Sequence, residues 1–399
     1  MSESVAALLS AKAVRERCHE LLNLADGDEL DHFRLDRSRM DDVASFVITT
    51  TRERYPDLKV PFHSRWRHFE VNGVSRWPEL SEPISSAGPH EAGRVAFELA
   101  IVSVLLDAGA GPEWKYRDRR GQVWSRSEGL AMASFDAFAS GVFGSGGKAV
   151  ADANGLQSVR FRALAEAFQV SDDNPLVGLE GRVALMHALG KAVAEQPDYF
   201  VGGRLGGLFD FCVNRDESLT ADQLLGIVLR SMGRIWPGRI ERGGLNLGDV
   251  WEHPKLCRDD ESNGLVPLHK LSQWLTYSLF EPLAWGGKAV QELDGMTGLA
   301  EYRNGGLVLD TGLLVPRSDE VWCKVFQPGD SCVVEWRALT VALLDEIAAA
   351  VRGRLNLDKT ALPLASVLEG GTWAAGRATA RRARDGLPPL AVASDGTLF

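Results

Sequence analysis

The segment Phe62-His63-Ser64-Arg65-Trp66-Arg67-His68-Phe69-Glu70 sets imidazoles, guanidiniums, aromatic rings and a carboxylate side by side. In an extended strand, side chains alternate between faces. That would group His63, Arg65 and Arg67 on one face and Phe62, Trp66 and His68 on the other. Cationic groups backed by rings suit an anion such as a phosphate. Small-molecule pockets are built this way, from a few fixed polar groups against apolar walls. The competing reading is an exposed strand whose arginines pair with some of the 54 acidic residues.

A second candidate wall lies at 269–283, where the periodicity predicts a helix. Leu268, Leu271, Leu275 and Leu279 form one apolar stripe that anchors it in the core. The opposite face carries His269, Lys270, Gln273, Trp274, Tyr277 and Phe280. Either that face meets another helix, or it walls a pocket. In the second case Lys270 and Gln273 are donors, and Trp274 or Tyr277 is a stacking surface.

Carboxylates supply the acid–base options. Val333-Val334-Glu335-Trp336-Arg337 opens a further helix, whose interior stripe runs through Leu339, Leu343, Ile347 and Val351. Glu335 falls in its first turn, where the helix dipole favours the charge and apolar neighbours disfavour it. Arg337 projects about 200° round from Glu335, so the two share a pocket only if the helix starts later. A plain N-terminal helix charge is the other reading of Glu335. Asp310 follows Leu307-Val308-Leu309, and Asp249 precedes Val250-Trp251, so both are acids in apolar company. Each also reads as an Asx-turn or cap residue. Asp136, between Phe135 and Phe138, is a candidate of the same kind.

Several chemistries find no support. There is no GxxxxGK[ST] and no strand-linked GxGxxG to cradle a nucleotide, and Gly144-Ser145-Gly146-Gly147-Lys148 lacks the spacing. Histidine and cysteine spacings give no metal site, and no GxSxG elbow is present. No cofactor is called for. Carboxylate acid–base chemistry without a metal is the simplest enzymatic option.

The elements that must position these groups are mostly helices. Periodicity predicts them at Val5–Leu24, Arg39–Tyr55, Glu91–Ala108, Ser127–Phe138, Leu156–Phe168, Glu180–Glu195, Ala221–Ile235, His269–Leu283 and Arg337–Leu355. Start signals include a Ser125/Glu128 capping box and Thr220 ahead of Ala221. Strands are expected at Val60–Val71, turning at Asn72-Gly73, and at Gly306–Val315. With no linker or repeat in 399 residues, one compact, mainly α body with small β-hairpin insertions is expected, and 387–399 as an arm lying on it. Net charge −10 argues against nucleic acid or anionic membrane as partner. Five scattered cysteines fit reduced thiols, and no apolar run is long enough for a bilayer, so a cytoplasmic, soluble protein is expected.

Long segments then resemble the uracil-catabolism protein 4 family of bacteria and fungi, long carried as a domain of unknown function. They include Val60–Glu70, Ser127–Gly141, Asp173–Arg182, Gly243–His253, Gly264–Leu283, Glu301–Leu313, Glu335–Leu344 and Ser366–Arg377. The resemblance implies a place in a route that degrades uracil as a ribosylated nucleotide. There a partner resembling GTP cyclohydrolase II opens the ring and urea is released. The family also looks distantly similar to queuosine-nucleotide salvage glycosidases, helical enzymes related in fold to DNA glycosylases. Their reacting centre shows a carboxylate–aromatic–Arg tripeptide, which Glu335-Trp336-Arg337 resembles with Glu for Asp and Trp for Tyr.

The function expected on these grounds is hydrolysis of the N-glycosidic bond of a ribosyl-urea, its phosphate or a related ribosyl nucleotide. Glu335 would stabilise the oxocarbenium-like centre, with Asp310 in reserve. His63, Arg65 and Arg67 would hold a phosphate, Lys270 or Gln273 the urea group, and Trp274 and Tyr277 the apolar wall. A non-catalytic scaffold of the pathway, or an amide hydrolase acting on the ring-opened ureido group, are the alternatives.

Overall fold

Thr220 starts the helix Ala221–Met232 with a reciprocal cap: its hydroxyl takes the Gln223 amide, and the Gln223 side chain takes the Thr220 amide. Local signals of this kind, repeated along the chain, produce a mainly α body. The computed structural model describes residues 2–215, 217–237 and 240–393. No helix among them is long and apolar enough to cross a membrane.

Three helices form the centre: Pro89–Leu105, Lys270–Trp285 and Ser331–Leu355. Each is buried on nearly every side along much of its length, so none shows a clean apolar stripe. Shorter or more amphipathic helices cover them. Ala11–Asp26 lies along Ser331–Leu355, and Trp373–Arg384 lies against Tyr302–Asp310. That last pair touches backbone to backbone: a Cβ on Gly376 would come 2.0 Å from the carbonyl oxygen of Arg303.

Among the described residues strands occur only in pairs and serve as clasps. Glu70–Val71 turns through Asn72-Gly73, both at positive φ, into Val74–Ser75, as the sequence suggested. Val325–Phe326 pairs in parallel with Ala391–Val392, holding the chain's last described stretch to the body. This covers residues 387–393 of the expected arm; 394–399 lie outside the described residues.

Two strand expectations fail. Residues 60–69 contain no strand; after extended Ser64, a 3-10 turn runs Arg65–Phe69. Its backbone is claimed by a neighbouring helix rather than by a sheet. The amide of Arg65 donates to Ser278 Oγ at 2.9 Å, and Trp66 Nε1 donates to the Ser278 carbonyl at 2.8 Å. Residues 306–310 belong to the helix Tyr302–Asp310, which Glu301 caps, and only Leu314–Pro316 is strand. The run at 156–168 is two helices, Ala153–Gln157 and Phe161–Ala167, and Ser125 makes no side-chain cap.

Candidate active site

Because residues 65–69 coil instead of extending, the face expected of His63, Arg65 and Arg67 does not form. His63 and His68 face a cavity of about 300 Å³. Arg65 is fully buried behind it, with Nε on Ser103 Oγ at 2.7 Å and Nη1 on Asp107 Oδ1 at 2.7 Å. Arg67 points elsewhere, to Glu281 at 2.6 Å and Glu70 at 3.1 Å. Neither guanidinium lines the cavity.

The cavity has an aromatic side. The His63 ring stacks on Trp274 at 6.2 Å and 28°, and Trp373 lies 5.7 Å from it on a tilted plane. His68 meets Trp274 edge-on at 5.8 Å. Its imidazole is pushed down to about 4, first by burial and then by the Arg65 charge, so it stays neutral near pH 7. His63 Nδ1 sits 2.8 Å from Glu369 Oε2. Burial alone would raise the Glu369 carboxyl. The His63 bond and the Arg54 charge outweigh that and hold it at about 2. Glu369 lies in a π turn, Leu368–Thr372, a rare irregularity that often marks a site.

Two carboxylates, Asp107 and Glu301, line the same cavity. Asp107 takes the Ser127 hydroxyl at 2.8 Å as well as Arg65. Glu301 sits at the start of Tyr302–Asp310, its two oxygens accepting the amides of Asn304 and Arg303, each at 2.6 Å. A carboxylate at a helix N-terminus is stabilised by both the amides and the dipole. Lys270 projects into the same cavity with its ammonium 5.8 Å from the Trp274 ring. Burial lowers its pKa, against the pull of Glu301 and Asp107. Arg126, Tyr302, Arg303 and the stretch Gly386–Pro388 complete the lining. This arrangement can hold a sugar-sized ligand between rings and fixed charges, and can stabilise positive charge developing on it.

Of the expected residues, His63, Lys270 and Trp274 come together here. Glu335 does not. It is fully buried, with Oε1 accepting the amides of His32 at 3.2 Å and Phe33 at 2.8 Å, and Oε2 3.4 Å from His253. It pins the strand Phe33–Leu35 to the long helix. Arg337 points another way, as the helical offset required, and forms a two-pronged pair with Asp249 at 2.8 and 2.9 Å. Asp249 also accepts the amide of Lys270 at 2.9 Å, and His269, at φ 46°, bonds the Leu8 carbonyl. These residues fix the start of the Lys270 helix without touching the cavity.

The remainder are also structural. Asp310 is clasped by Arg384, and Asp136 by Arg76 and the Tyr116 hydroxyl. Gln273 ties Thr297, and Tyr277 donates to the Thr297 carbonyl at 2.9 Å. Trp336 donates to the Gly305 carbonyl at 3.1 Å and borders a second, wider hollow. That hollow, about 910 Å³, lies across the 387–392 stretch from the first and shares Tyr302 with it.

The residues missed were Asp107, Arg126, Ser127, Glu301, Tyr302, Arg303 and Trp373. One signal was in the sequence: Glu301-Tyr302-Arg303 is a second carboxylate–aromatic–Arg tripeptide, with tyrosine in the middle. This copy, not 335–337, lines the cavity. Among the described residues no three His, Cys, Asp or Glu side chains are grouped to hold a metal ion.

A family profile described as "Protein of unknown function (DUF1688)" matches residues 7–399. The chain is 38% identical over 409 residues to "Protein urg3" of Schizosaccharomyces pombe, spanning 100% of both. It is 34% identical over 432 residues to "Uracil catabolism protein 4" of Lachancea kluyveri, spanning 98% of each. Matches of this length, to the relatives that segments such as 60–70 suggested, settle the kinship: the chain belongs to the DUF1688 family, together with urg3 and uracil catabolism protein 4.

Proposed function

We propose that this protein acts in uracil breakdown as an N-glycoside hydrolase, cleaving a ribosyl-urea or a related ribosyl compound to urea or base and the free sugar. One observation carries the reading: a sugar-sized cavity is lined by two carboxylates, Asp107 and Glu301, together with a wall of rings. Support for the pathway comes from the relative named for uracil catabolism.

Departure of the urea nitrogen leaves positive charge on the anomeric carbon and ring oxygen. Glu301 is the charge that meets it. Its oxygens are fixed by two amides, so it need not reorganise as the bond breaks. Asp107 holds the water that adds to the anomeric carbon. Lys270 bonds the ureido group and gives it a proton as the C–N bond breaks, and Asp107 takes the proton shed by the adding water, so urea leaves neutral. Trp274 and Trp373 exclude bulk water from the faces of the ligand.

The test is incubation of pure protein with ribosyl-urea and its 5-phosphate, followed by assay of urea and sugar. Glu301→Gln, matched for folding by circular dichroism, is expected to lose about 10²–10³ in turnover. Wild-type urea release by that variant removes Glu301 from the chemistry. Binding without products favours a scaffold role, and products that keep the ribosyl bond favour amide hydrolysis.

A further inference from the structure

Arg126 and Arg303 each donate one Nη1 to the same acceptor, the carbonyl oxygen of Gly386, at 2.9 Å apiece. That brings two positive charges within about 6 Å of each other, where like charges repel. Among the described residues neither makes an ion pair with a carboxylate. Among other buried arginines, Arg65, Arg76 and Arg337 each hold an aspartate, while Arg182 donates only to carbonyls and does not line the cavity. Arg303 is only 4% exposed and lines the cavity. A buried cation with no counter-charge is costly unless something supplies one.

The backbone is shaped for this pairing. Arg126 sits at φ 55°, uncommon for a side chain of its size, at the start of the helix Arg126–Ala139. Gly386, at φ 81°, turns its carbonyl between the guanidiniums; a Cβ there would come 3.0 Å from Arg126 Nη1. Neither cavity carboxylate bonds the pair directly: Asp107 is paired with Arg65 and Ser127, and Glu301 turns its oxygens to two backbone amides.

We infer that Arg126 and Arg303 form a clamp for a phosphomonoester, so that the ligand is a sugar phosphate and not the free nucleoside-like compound. Planar guanidiniums present paired N–H groups that match phosphate oxygens, and a dianion satisfies both charges at once. The inference rests on the proposed sugar-binding reading of this cavity and names the form of the sugar.

Calorimetric titration of the full chain with ribose 5-phosphate and with ribose tests it. Ribose 5-phosphate is expected to bind tighter by about tenfold or more, a charged hydrogen bond's worth. Arg126→Gln and Arg303→Gln are each expected to erase that preference. Equal binding of the two sugars, no binding of ribose 5-phosphate, or an undiminished preference in both variants overturns the clamp. If Arg303→Gln fails to fold, the wild-type preference and Arg126→Gln decide. Equal kcat/KM for ribosyl-urea with and without its 5-phosphate sinks the clamp and spares the hydrolase. Tight ribose 5-phosphate binding with no bond cleaved in either ribosyl-urea does the reverse.

Discussion

His63 and Glu369 meet at 2.8 Å, imidazole Nδ1 to carboxylate Oε2, although 306 residues separate them. The carboxylate is itself steadied by Arg54 at 3.0 Å. A hydrogen bond to Nδ1 fixes which ring nitrogen carries the proton and leaves Nε2 as the acceptor.

On the proposed hydrolase reading Glu369 is a positioning residue, acting through His63. Glu369→Gln keeps the shape and removes the charge that selects one tautomer. Turnover is expected to fall about 10–100-fold with KM little changed. Nitrogen NMR of the His63 ring should show mixed tautomers. A single unchanged tautomer with reduced turnover would contradict this role.

Glu335 is expected to matter for stability alone. Glu335→Gln weakens its hold on the His32 and Phe33 amides and on His253, at about 1–3 kcal/mol in urea denaturation. Turnover per folded molecule should stay at the wild-type level. A large loss of turnover without loss of stability would return Glu335 to the chemistry.

His68 gives the fold a pH dependence with a definite sign. Its folded pKa, about 4, lies below the ordinary 6.5, so the folded state resists protonation. The resulting penalty is absent above pH 6.5 and grows as pH falls towards 4. His68→Gln should flatten the melting temperature over that window relative to wild type. Parallel curves for the two proteins would refute the assignment.

Gly376 permits the closest backbone approach near the site. Gly376→Ala places a methyl against the Arg303 carbonyl and should cost about 1–3 kcal/mol as overpacking. Because the strained partner belongs to Arg303, binding of sugar phosphate should weaken too. Unchanged melting and binding would show that the helices slip apart freely.

The helices were legible because burial imposes a 3.6-residue period wherever one face is covered, and Thr220 even announced its cap. The central helix Lys270–Trp285 was harder, since it is buried all round; there Gln273 and Tyr277 met neighbours while Lys270 and Trp274 met a void. Strand-like alternation at 62–68 misled because Ser278, 213 residues away, takes the Arg65 amide. Asp107 and Arg126 carry no local signal; they sit at helix ends and gain meaning only from what the fold sets around them. The tripeptide occurs twice, and periodicity alone does not tell which copy borders an empty space. Glu335 lost that choice to strand Phe33–Leu35, whose contact with it no local pattern encodes.

Glu301 has two jobs at one pair of oxygens, closing the first turn of a helix and confronting whatever occupies the cavity. Any guest that draws on those oxygens must compete with the amides of Arg303 and Asn304. Occupancy should thus be audible in deuterium uptake at these two positions, even for a guest that leaves no spectroscopic trace of its own.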